Sequence, residues 1–236
     1  MFKRILLVWF VANFLIAGAA ALVTGGWYLR LPTLARMVAE IGLIILPNLL
    51  FPIFLLRYAW PIPIDSLKKE LGWQWSGWRP ILVGMIAFVI YLVLSIPLSN
   101  LIGPGIPYSL PGEGGPITGL AGLLALFLFI LFIVFTVIGE ETMFRGLIQT
   151  QVSAHCGVWA GIILTVLLFG LRHLPADIFY SQIWNATPRM WVARQVDLYL
   201  GAGLLSLARY FGRSTYASAT MHLLTFLLIF ILGFLG

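Results

Sequence analysis

Long apolar stretches alternate with short polar ones along the whole chain. Apolar runs at about 5–23, 41–57, 80–101, 118–137, 157–171, 195–211 and 215–235 approach or exceed the roughly 20 residues that carry a helix across a bilayer. In hydrocarbon every backbone N–H and C=O must be satisfied within the element itself, and a helix does that. The pattern therefore predicts an all-α, polytopic transmembrane helical bundle of about seven to eight helices, one integral-membrane domain over residues 1–236. Residues 138–156 read as a helical stretch of mixed character, and 172–194 as a more polar connection. The N-terminal MFKRILLVWFVANFLIAGAAALV has the charged start of a signal peptide, but its apolar stretch is long and shows no clear small-residue cleavage site before Gly25. It reads as a retained first helix.

Composition strengthens the membrane reading. The 236 residues are 61% hydrophobic and 9% charged, where a globular chain carries about a quarter charged residues. The net charge of +6 lies mostly between the apolar runs, where orientation signals and lipid-headgroup contacts put it, so the partner is the lipid bilayer and no nucleic acid is expected. Lys3 and Arg4 precede the first run, and the loop at 57–79 holds Arg57, Lys68, Lys69 and Arg79, while residues 102–117 hold no Lys or Arg. This bias puts the N-terminus in the cytoplasm, in a cell membrane, and the Gly/Pro-rich loop outside; Arg30 and Arg36 pull the other way. PIDSLKKELGWQWSGW (63–78) reads as an interfacial helix whose Trp residues anchor it. The single Cys156 reads as a small buried hydrophobe.

Against this background, ionisable residues inside apolar segments stand out, because each costs about 2.5–3.5 kcal/mol on insertion scales and usually faces a bundle interior. GEETMFRG (139–146) places Glu140 and Glu141 side by side after an apolar run, and His173 and His222 lie in TVLLFGLRHLP and ATMHLLTFLLIF. Taken singly, His173 can end a helix and His222 can be an interhelical hydrogen-bond donor. On a helix Glu141, Arg145 and Gln149 share one face, and Glu141 to Arg145 is an i,i+4 pair in the favoured order. That leaves Glu140 as the unpaired carboxylate. The midpoint between 140 and 173 falls at Cys156-Gly157, so a helical hairpin broken there sets Glu140 opposite His173, and His222 reaches a similar depth from the last run.

A carboxylate and two imidazoles at one depth can activate water: Glu takes a proton, one His helps, and the other donates to a developing oxyanion. Zinc is the other option, with Glu140, His173 and His222 as ligands. No GxSxG serine, HExxH or intramembrane aspartate pair is present, Asp177 and Asp197 falling in loop or interface positions.

EETMFR (140–145), FGLRH (169–173) and DLYLGAGLLSLARYFGRSTYASATMH, ending at His222, resemble in order and separation the three motifs of the CPBP family, the CAAX proteases and bacteriocin-processing enzymes also called Abi. The resemblance covers about 118–235 and leaves 1–117 as N-terminal helices without an assigned motif. It implies a glutamate-dependent intramembrane endopeptidase acting on a membrane-tethered protein or peptide without a cofactor, although older descriptions of the family name a metal. Carried over, Glu140 is the base, His173 its partner and His222 the oxyanion donor, with Glu141, Arg145 and Phe169 supporting. Family members carry an Asn or Asp four residues after the last His. Here that residue is Phe226, and Thr225 is the nearest substitute. Two other readings keep the same residues: a non-catalytic immunity or regulatory protein, and a transporter with a proton relay.

Overall fold

The computed structural model describes Ala35, Leu50 and residues 63–105, 119–183 and 185–235. Of the expected runs, 5–23 and, but for Leu50, 41–57 lie outside them. The described residues are helical: α1 (Ile64–Glu70), α2 (Arg79–Ile102), α3 (Gly119–Glu141), α4 (Thr150–Cys156), α5 (Val158–Ile183), α6 (Pro188–Gly212) and α7 (Thr215–Leu235). A π-helical segment, Thr142–Gln149, joins α3 to α4 without a break. This makes six continuous helices among the described residues, against the seven to eight expected. One of them, Arg79–Ile102, is by itself long and apolar enough to cross a membrane.

Local chemistry sets the boundaries. Pro80 starts α2 and Pro188 starts α6, positions where a missing N–H costs nothing. The Thr187 side chain accepts from Met190 N–H and caps α6. The hairpin falls where expected: α4 ends at Cys156, and Gly157 turns the chain with φ +92° before α5 begins. Cys156 is exposed at this turn rather than buried.

Two expectations fail here for identifiable reasons. The polar connection expected over 172–194 is mostly helix, because α5 runs on to Ile183 and α6 begins at Pro188. Its charges bind neighbouring helices instead of facing water: Asp177 is fully buried and ion-pairs with Arg194 at 3.0 Å. Asp177 and Asp197, expected at loop or interface positions, are therefore both helical. The interfacial helix expected over 63–78 stops at Glu70, and residues 71–78 are irregular chain, turned by Gly72 and Gly77 at φ +67° and +78°. Trp75 and Trp78 are exposed, as anchors would be. Trp73 points inward instead: its Nε1 donates to Thr142 Oγ1 at 3.0 Å and its ring meets Tyr216 edge-on at 5.0 Å.

Two clusters hold the bundle. One gathers the π segment, Val152, Leu168, Phe169, Leu198 and Ala202 around Leu71. The other joins α2, α6 and α7 through Ala87, Leu205, Ala208, Ala217 and Met221, and its three alanines are of the small kind that lets membrane helices approach closely.

Candidate active site

The site forms where α3 passes into the π segment. All eight residues from Thr142 to Gln149 are buried, enclosed by the Leu71–Trp73 chain, α5, α6 and α7. A π turn inside an α-helix carries poorer hydrogen-bond geometry and recurs at functional sites. Arg145 enters the core with none of its surface exposed. Its Nη1 lies 3.1 Å from Glu141 Oε1, its Nη2 donates to the Ala202 carbonyl at 3.2 Å, and its guanidinium lies 4.5 Å from the centre of the Phe169 ring. The i,i+4 pair read from the sequence is present. Gln149, two turns on, donates to the Ser206 carbonyl at 2.9 Å.

Glu141 has a second partner, since its Oε1 also accepts from His222 Nδ1 at 2.8 Å. The other ring nitrogen, His222 Nε2, lies 3.8 Å from Glu140 Oε2. His222 therefore spans the two adjacent carboxylates. His173 joins them from α5: its Nδ1 donates to the Phe169 carbonyl at 2.9 Å, which leaves Nε2 as the ring's acceptor. It is close enough to Glu140 for their charges to interact. Phe169 is the common surface, with its ring centre 4.7 Å from that of His173, 6.3 Å from that of His222 and 5.0 Å from that of Phe144. Glu140, His173 and His222 thus converge, as the hairpin arithmetic expected.

Three details correct the sequence reading. Glu140 is not unpaired, because Arg172 Nη1 sits 2.8 Å from its Oε1. The sequence held the signal for this partner, since Arg172 is itself an ionisable residue inside an apolar helix and obeys the same rule that singled out His173. Thr225 is no spare donor: its hydroxyl donates to the Met221 carbonyl of its own helix at 3.0 Å. Phe226 lies flat on His222, with ring centres 5.1 Å apart and planes 15° from parallel. It packs the imidazole where the family pattern expects a hydrogen-bonding side chain.

Among the described residues no three His, Cys, Asp or Glu side chains group so as to hold a metal ion.

Searches of the curated proteins and of the solved structures found no match to this chain. Residues 122–234 match the family model described as type II CAAX prenyl endopeptidase, Rce1-like. That span contains every residue of the convergent cluster, and over it the chain is similar to the Rce1-like CAAX endopeptidases.

Proposed function

We propose that this chain is an intramembrane endopeptidase that hydrolyses a peptide bond of a membrane-tethered protein or peptide with water activated by Glu140. The observation that carries the reading is the 3.8 Å separation of Glu140 Oε2 from His222 Nε2 inside the bundle. That is too long for a direct hydrogen bond, and one water can touch both atoms from the apex of the triangle they define. Glu140 takes a proton from this water as its oxygen attacks the scissile carbonyl carbon. The proton then passes to the leaving amine as the C–N bond breaks. His173 assists the transfer. His222 donates from Nε2 to the developing oxyanion while Glu141 holds Nδ1.

The donors present favour a glutamate mechanism without metal. In this reading α2, α3, α5, α6 and α7 cross the membrane, and the basic residues near the N-terminus put that end in the cytoplasm. The family description points to a prenylated C-terminal tail as substrate.

The test is cleavage of a quenched, prenylated peptide by purified protein in detergent. Replacing a general base or its partner typically costs about 10²–10⁴ in rate, so Glu140→Gln and His173→Gln should each lose at least that much while the fold persists by circular dichroism. Cleavage at the parental rate by either variant refutes the assignment. The Phe226 ring on His222 favours a second reading, a regulator that keeps the cluster without hydrolysis. Under that reading the parent cleaves no peptide of any sequence, and Glu140→Gln lowers only stability.

A further inference from the structure

Phe169, His173 and Asp177 recur every four residues along α5 and share one helix face. The first two belong to the convergent cluster; Asp177 has no role there. It is nevertheless fully buried, and α6 holds both its carboxylate oxygens: Arg194 Nε donates to Oδ1 at 3.0 Å and Gln195 Nε2 to Oδ2 at 2.9 Å. Asp197, on the same stretch of α6, accepts from Tyr91 of α2 at 2.7 Å. A belt of polar contacts thus runs from α5 through α6 to α2, one helical turn from His173.

Arg194 also borders a cavity of about 320 Å³, lined by Tyr91, Ser95 and Asp197 among others. The His173 Nδ1 bond to the Phe169 carbonyl joins two residues of the same helix and does not by itself set how α5 is rotated in the bundle.

We propose that Asp177 is a positioning residue for the reaction: by gripping Arg194 and Gln195 it sets the rotation and depth of α5, and so where His173 points. It touches no reacting atom and acts through His173. The inference rests on the peptidase reading for its kinetic consequence, but not for its structural one.

Two measurements test it. In the cleavage assay, Asp177→Asn should keep KM within about threefold and lower kcat by about 10²-fold, the cost attached to misplacing a reacting group by about 1 Å. In protein labelled with ¹⁵N and ¹³C only at histidine, the His173 ring signal, identified by its loss in His173→Gln, should shift in Asp177→Asn while those of His155 and His222 stay. If Asp177→Asn does not fold, Gln195→Met breaks one of the two grips and should move the same signal by less. A His173 signal unchanged in the folded variants overturns the proposal, as does a uniform shift of all three rings, which would mark general loosening. Absence of cleavage by the parent removes the peptidase reading alone, because the histidine spectrum still decides the position of His173.

Discussion

Replacing Arg145 with Met tests the heart of the site. Arg145 and Glu141 have fully buried side chains 3.1 Å apart, so no solvent screens the pair. The substitution keeps most of the side chain's length but removes the charge, the bond to the Ala202 carbonyl and the contact with the Phe169 ring. Glu141 is left in the core with His222 as its hydrogen-bonded partner. Removing one member of a buried pair costs about 3–5 kcal/mol, because the partner's charge loses its compensation. Against a total stability on the order of 5–15 kcal/mol, that is a third or more of what holds many proteins folded. The measurement is reversible unfolding in bicelles, followed by circular dichroism or by steric trapping. Glu141→Gln combined with Arg145→Met removes both charges, and a buried pair replaced whole is often close to neutral. The double variant should therefore be more stable than Arg145→Met alone, with a coupling of about 0.5–3 kcal/mol, as expected for residues in contact. A single variant costing less than about 1 kcal/mol, or a double variant costing the plain sum of the two singles, would show that the pair does not organise the core as argued.

Three further outcomes rest on the same geometry. Phe226→Asn removes a stacked ring at a cost of about 1 kcal/mol and supplies the side chain the family pattern expects. A missing oxyanion donor is worth about 10²–10³ in rate, so kcat in the peptide assay should rise by up to that factor; an unchanged or lower kcat means His222 needs no such neighbour. A Cβ on Gly146 would lie 2.7 Å from the Leu71 carbonyl oxygen, which Thr215 Oγ1 already holds at 2.7 Å. Gly146→Ala should thus destabilise by about 1–3 kcal/mol through overpacking, and an unfolding midpoint equal to the parent's would mean the Leu71 turn moves freely. Peptide cleavage should survive prolonged treatment with a strong chelator, and chelator-dependent loss restored by zinc would reverse the metal-free proposal.

How far the sequence carries the site depends on the kind of contact involved. Pairs within one helix follow from spacing, so Glu141–Arg145 was readable. The hairpin followed from one break residue and symmetric counting, which set Glu140 against α5. Contacts between helices distant in sequence were not readable, because they depend on helix rotation. His222 therefore appeared as a third polar residue, with no sign that it would straddle both glutamates. The π segment was equally hidden: its register comes from packing against Leu71, Ala202 and Ser206, and no residue in TMFRGLIQ marks it locally. The misreading of 172–194 has a simple physical origin. Charges there looked like water-facing chain, but a charge in a membrane bundle can be satisfied by another charge on the next helix.

Arg172 changes the electrostatics of the proposed reaction. Glu140 and Glu141 place two carboxylates on adjacent residues of one helix, and each has its own guanidinium, Arg172 at 2.8 Å and Arg145 at 3.1 Å. The four charges sum to zero, so both carboxylates can remain ionised at this depth without a metal ion to compensate them. The two pairs also differ in their second oxygens. Glu141 shares Oε1 between Arg145 and His222, whereas Glu140 has Arg172 on Oε1 and turns Oε2 toward His222 across the 3.8 Å gap. When Glu140 accepts a proton from water in the proposed step, its charge does not vanish from the site. It reappears on the oxyanion of the substrate, while Arg172 keeps its positive charge beside the now neutral carboxyl. Arg172 thus offsets one negative charge of the site before and after attack, and the two ion pairs stay balanced from one side of the step to the other. A stabilising charge fixed in place before the step needs little reorganisation during it, and here that charge belongs to the residue immediately before His173 on α5.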